Sequence, residues 1–180
     1  ATEKMDRLLN DLLNYSKAGS VKIKKTSVNL NSIIQKIRAE FELETRGREI
    51  NWKTAELPLT EGDPNLIKLA LTNLISNALK YTGKLKSATI ETGHFVDASN
   101  TTVFFVKDNG IGFDMKFKAI LFAPFKRFHE HTDFEGSGLG LSNVKRIIEL
   151  HGGSIWADSV VNSGTTFYFT LPIHKDQTKA

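Results

Sequence analysis

Three groups of residues in this 180-residue chain combine side chains and spacings that could handle a nucleotide. Asn73, Asn77 and Lys80 recur at i, i+4 and i+7, so on a helix they stack in one stripe of two amides and an amine. A magnesium triphosphate needs few protein ligands because the ion keeps waters and phosphate oxygens, and an amide oxygen with a nearby cation suffices. Asp108 stands where an apolar run ends and Asn109, Gly110, Ile111 and Gly112 follow. A carboxylate fixed there can accept a hydrogen bond from an exocyclic amine such as adenine's and would face like polarity in guanine. Gly136, Gly138, Leu139 and Gly140 open the last helical stretch, where small residues let backbone N–H groups reach phosphate oxygens at the positive end of a helix dipole. Each group alone also has an ordinary reading: solvated polar residues on a helix flank, an Asp-Asn-Gly turn, and a glycine hinge.

The elements that must carry these residues follow from periodicity and punctuation. Asp63 and Pro64 give a side-chain cap and a proline at the first helical position, and Ile67, Ala70, Leu71, Leu74, Ile75 and Ala78 form a buried face for a helix over 63–81. Ile33, Ile34, Ile37 and Phe41 predict a second helix from a cap at Asn29 or Asn31 to Arg46, closed by Gly47. A third, over 139–150, stops at Gly152 and Gly153. Strands are expected at 26–28, 50–53, 88–95, 101–107, 154–158 and 165–171. Helices and strands interleave without regular βαβ alternation, which predicts an α/β fold, a two-layer sandwich with a mixed sheet covered by helices.

Composition narrows the classes. There is no cysteine, so disulfides and thiolate metal sites are excluded. No apolar run reaches the roughly 20 residues of a membrane span, which leaves no direct membrane contact to expect from this piece. The net charge of +4 is dispersed among 20 acidic residues, an argument against nucleic acid as a partner. Met5, Leu8, Leu9, Leu12, Leu13 and Tyr15 make an amphipathic helix of about four turns over 3–17, suited to its own domain or to a dimer stem, followed by a linker at 18–25.

Taken in order, five motifs resemble one family. Asn73 through Thr82, Asp108 through Phe113, Phe122 through Phe128, Gly136 through Gly140 and Gly164 through Phe167 are similar to the N, G1, F, G2 and G3 boxes of sensor histidine kinases, within the superfamily shared with DNA gyrase and the Hsp90 chaperone. The resemblance covers residues 26–173, and residues 1–25 look like the end of a dimerisation stem with its linker, preceding a catalytic domain at 26–180.

The resemblance implies the Bergerat-type ATP-binding fold, with ATP and Mg2+ as cofactors. Asn77 would ligate the ion, Asn73 would assist at the phosphates, Lys80 and Arg127 would neutralise triphosphate charge, and Tyr81 would pack near the nucleotide. Asp108 would read the amine of adenine, Gly110 and Gly112 would shape its pocket, and Thr166 would sit beside Asp108 beneath the base. Gly136, Gly138, Leu139 and Gly140 would meet the phosphates, and 113–137 would form a mobile lid. The γ-phosphate would go to a histidine on the stem of a homodimer and then to an aspartate of a response regulator receiver domain, in the cytoplasm. None of the chain's five histidines lies on an amphipathic helix ahead of this module, so the acceptor is expected outside it; His129, His131 and Asp133 read as loop residues. A nucleotide-binding module without kinase activity is the alternative, and a serine kinase of the same fold fits the stem less well. Asn73 stands where gyrase-type ATPases carry a glutamate that activates water, and an amide cannot take a proton.

Overall fold

The computed structural model describes residues 23–124 and 139–174. The expected stem helix at 3–17, most of its linker, and Arg127, His129, His131, Asp133, Gly136 and Gly138 lie outside the described residues. The elements are β1 (Thr26–Val28), α1 (Leu30–Phe41), β2 (Glu49–Thr54), β3 (Thr60–Gly62), α2 (Pro64–Tyr81), β4 (Ser87–Val96), β5 (Thr102–Asp108), a 3-10 helix (Met115–Ile120), α3 (Gly140–Leu150), β6 (Ile155–Val160) and β7 (Gly164–Thr170).

A five-stranded sheet in the order β2-β4-β5-β7-β6 pairs β2 and β4 in parallel and the remaining neighbours antiparallel. Strand alternation divides its faces. Ile90, Phe104, Val106, Phe167 and Phe169 point toward the helices and meet Ile33, Ile37, Ile67, Leu71, Leu74, Ile75, Val144 and Ile147, all buried. Phe104 and Phe169 stack at 5.5 Å between ring centroids. The opposite face carries Glu91, Lys107, Phe105 and Tyr168, none of them fully buried. The result is the expected two-layer α/β sandwich with a mixed sheet. No helix among the described residues is long and apolar enough to cross a membrane.

The caps explain where the helices begin. Asn29 accepts from Ser32 N at 3.0 Å, while Asn31 instead fastens the 55–57 loop through Ala55 O and Leu57 N, each at 2.8 Å. Asp63 accepts from Asn65 N and Leu66 N at 2.9 and 3.1 Å, with Pro64 at the first turn. Helix α1 ends at Phe41 rather than Arg46, and residues 42–47 continue as turns in which Thr45 N and Oγ1 both donate to Phe41 O, at 3.0 and 2.8 Å. A short strand that the sequence did not announce, β3, pairs antiparallel with β1 and leads into Asp63. Within the stretch expected to be a lid, Phe113 and Leu121 are buried in the core, so the part up to Leu121 is anchored.

Candidate functional site

Helix α2 is the wall on which the motifs meet. Asn73, Asn77, Lys80 and Tyr81 are half-buried along one flank, while the neighbouring stripe of Ala70, Leu74 and Ala78 goes into the core. From Asn73 to Lys80 the helix rises about 10 Å. Lys80 Nζ lies 5.2 Å from the centroid of the Tyr81 ring.

At one end of this strip stands the start of α3. Asn73 Nδ2 donates to Leu69 O at 3.0 Å, and its Oδ1 faces Gly140 so closely that a methyl group there would stand 2.9 Å away. Leu139, at the cap position, makes no side-chain cap, unlike Asn29 and Asp63 at the other two helices. The first N–H groups of α3 are therefore not capped by the Leu139 side chain, in a geometry suited to an anion.

At the other end stands the turn after β5. Asp108 is the last strand residue and is 5% exposed. Its Oδ1 accepts from Gly110 N at 2.8 Å, and Thr165 N donates to the same carboxylate. Burial pushes the Asp108 carboxyl up to about 6, against the lowering pull of these two donors. A carboxylate has about four lone-pair sites, so acceptor capacity remains for an N–H of a ligand.

The glycines here are fixed by close approach. A methyl group at Gly110 would stand 2.6 Å from Tyr81 O, and Ile111 N donates to that same carbonyl at 3.2 Å, which ties the turn to the end of α2. Gly112 has φ +60 and lies against Val160 O; Gly164 has φ +99 and lies against Asp108 O. Asn109 does not face the strip, since its side chain accepts from Thr89 N at 2.7 Å and donates to Ser87 O at 3.3 Å, pinning the start of β4.

One expected placement is corrected. Thr166 pairs with Lys107 and Asp158, on the outer face of the sheet, away from Asp108. The neighbour of Asp108 is Thr165, which shares the inner face with Phe167 and Phe169 and is buried. Ser159 is a second residue missed by sequence reasoning: its hydroxyl accepts from Phe113 N at 2.8 Å, reaches Gly164 O at 3.0 Å and joins Thr165 Oγ1 at 2.9 Å. It binds the glycine turn to the hairpin that carries Thr165.

A cavity of about 340 Å³ opens on the outer side of this turn, lined by Ile111, Gly112, Phe113, Asp114, Phe117, Val161 and Asn162. Neither Asp108 nor any residue of α2 lines it. The strip along α2, where the polar groups converge, is therefore the candidate site, and the cavity is its neighbour. Among the described residues no group of three or more His, Asp or Glu side chains could hold a metal ion by itself.

Comparison with known proteins shows the family and the fold. The family model described as "Histidine kinase-, DNA gyrase B-, and HSP90-like ATPase" matches residues 62–175, more than half of the chain. The methanogenesis regulatory histidine kinase FilI of Methanothrix harundinacea (strain 6Ac) is 40% identical over 173 residues, covering 96% of this chain and 19% of that protein. The sensor protein kinase WalK of Staphylococcus aureus (strain MRSA252) is 36% identical over 179 residues, covering 95% of this chain and 29% of that protein. The chain thus spans under a third of the length of these curated relatives. Among solved structures, the catalytic domain of histidine kinase ThkA superposes with a TM-score of 0.67 at 31% identity, covering 83% of this chain and 98% of that one. Full-length ShkA in complex with AMPPNP shares the fold with a TM-score of 0.74 at 24% identity, over 97% of this chain and 37% of that one.

Proposed function

Because this chain belongs to the family of histidine kinase-, DNA gyrase B- and HSP90-like ATPases, as the ATP-binding domain of a two-component sensor histidine kinase, we propose that it delivers the γ-phosphoryl group of Mg-ATP to a histidine on a separate stem helix. The single observation that carries the reading is convergence: one helix, α2, touches the phosphate-suited start of α3 at Asn73 and the Asp108 turn at Tyr81.

Bound Mg-ATP would supply the transferable phosphoryl group and the negative charge that the site must neutralise. Asp108 accepts from the exocyclic amine of adenine, which favours adenine over guanine because a carbonyl there would leave the buried carboxylate unpaired. Gly110 and Gly112, packed against Tyr81 O and Val160 O, shape the base pocket, and Thr165, held by Ser159, fixes the carboxylate. Asn77 offers an amide oxygen to Mg2+; Asn73, Lys80, the residues from Gly136 through Gly140 and Arg127 receive the phosphates; Tyr81 packs at the nucleotide. Phosphoryl transfer depends mainly on such positioning and charge stabilisation. Asn73 cannot accept a proton, so the site favours transfer to an already activated imidazole over hydrolysis.

In the same reading, residues 1–25 end the stem of a cytoplasmic homodimer, residues 26–180 form the catalytic domain, and an aspartate of a response regulator receives the phosphate. The test mixes this chain with a stem that bears the acceptor histidine and γ-labelled ATP. Acid-labile label on the stem, with none on this chain, is the expected result. ATP bound without any transfer would instead identify a nucleotide-binding module that controls docking, and acid-stable label would identify a serine kinase.

A further inference from the structure

Helix α3 packs on the core beside α2 through Val144, Ile147 and Ile148, and two further contacts with α2 stand at its ends. Near its start, Gly140 lies against Asn73 Oδ1. At its far end, His151 caps the helix and is 1% exposed, with both ring nitrogens engaged: Nδ1 lies 2.7 Å from Ile147 O, and Nε2 accepts from Asp63 N at 3.0 Å. Nδ1 must be the donor, because a carbonyl only accepts, so Nε2 is the lone-pair nitrogen and the ring is the neutral Nδ1–H tautomer.

Asp63 is the cap of α2, so one imidazole joins the last turn of α3 to the first turn of α2. The two attachment points are about 16 Å apart along α3. Gly62 makes room for the ring: a methyl group there would stand 2.6 Å from His151 Cδ2. Val144, Ile147 and Ile148 hold α3 on the core by non-directional apolar packing, and the two His151 hydrogen bonds add the directional contact that fixes its axial position relative to α2.

We propose that His151 is a positioning residue for phosphate binding, acting through the whole length of α3 to hold its N-terminus against Asn73. The inference rests on the reading of that N-terminus as the phosphate end. The Asp108 turn does not share this dependence, since it is tied to Tyr81, Ser159, Gly164 and Thr165.

Two near-isosteric replacements separate the nitrogens. Asparagine places an amide near Nδ1 and cannot reach Asp63 N; glutamine places its carbonyl oxygen near Nε2 and keeps an acceptor for Asp63 N. In His151→Asn the Kd for Mg-ATP rises about tenfold, the equivalent of one lost hydrogen bond, while the Kd for adenosine stays within about twofold. In His151→Gln the ratio of the two affinities returns to within about threefold of wild type. Ile34→Val, on the buried face of α1, supplies a destabilised reference that leaves the ratio unchanged.

Amide hydrogen exchange on the ligand-free chain reads the latch without nucleotide. His151→Asn speeds exchange at Asp63 and also at Asn143, whose N–H bonds Leu139 O in the first turn of α3, and His151→Gln slows both again. The proposal is overturned if Asn143 keeps its protection when that of Asp63 is lost, if ATP and adenosine weaken equally, or if the glutamine variant behaves as the asparagine variant does. Failure of the wild-type chain to bind ATP, with the exchange pattern intact, would count against the phosphate reading and leave the latch standing.

Discussion

At the C-terminal end of the α2 strip, Asp108 is buried, receives two backbone N–H donors and is hemmed in by glycines at carbonyl contact; in the middle of the strip, Asn77 and Lys80 are half-buried on the helix flank. The first end is preorganised at a cost, since a carboxylate out of water is destabilised until a ligand donates to it. The second leaves room for charge to enter and leave. In the proposed reading, selectivity for the base belongs to the rigid end and charge handling to the half-buried flank. The contrast predicts that changes at the rigid end move folding stability and binding together or in opposition, while changes on the open flank move binding alone.

The largest effect is expected at Gly164. With φ +99 and a methyl group that would stand 2.0 Å from Asp108 O, Gly164→Ala should lower unfolding stability by on the order of 3 kcal/mol or more and abolish nucleotide binding, as read by urea unfolding and calorimetry. Gly47, with φ +82 but nothing within 4 Å, isolates the conformational part: Gly47→Ala should cost about 1–2 kcal/mol and leave binding intact.

Asp108→Asn should split the two properties. The folded chain holds the Asp108 proton up to about 6 while the unfolded chain releases it near 3.8, so this group's contribution to stability is fully present below 3.8 and is lost as the pH rises through 6. Removing the charge should therefore raise ligand-free stability at pH 7.5, by an amount bounded at roughly 3 kcal/mol, and flatten the fall in stability between pH 4 and 6. Affinity for ATP should drop on the order of a hundredfold. Loss of stability together with binding would remove the claim that this carboxylate is strained for function.

On the open flank, Asn77→Ala should weaken Mg-ATP about tenfold or more, leave adenosine unaffected, and change stability by no more than about 0.5 kcal/mol. Smallest of all is the exposed Lys68–Glu40 ion pair on the outer side of α2. Lys68→Ala should stay within about 0.5 kcal/mol in stability and leave the nucleotide affinities alone, which separates the functional flank from the solvated one on the same helix.

Much of this was legible in the chain because the helices are amphipathic and capped by residues with a mechanism: Asp63 with Pro64, Asn29, and glycines after the last turns. The strip on α2 follows directly from the i, i+4, i+7 spacing. What was not legible is register and short pairing. Thr60, Glu61 and Gly62 show no alternation, and their strand exists only because β1 and Ile173 lie alongside. Thr165 and Thr166 are identical in type, and a shift of one residue exchanges the sheet faces. The signal that separates them was present: Phe167 and Phe169 are core residues, as are Phe104 and Val106, so Asp108 shares its face with Thr165. The same parity, from Ala157 to Ser159, points to the hydroxyl that holds the turn.

The most direct test of convergence is a titration of the 15N-labelled chain with Mg-ATP, following the backbone amides of Gly110, Gly112 and Thr165 and the side-chain amides of Asn73 and Asn77. All five should shift along one saturation curve with a single Kd. Shifts confined to one end of α2, or two ends that saturate at different concentrations, would contradict a single shared nucleotide site.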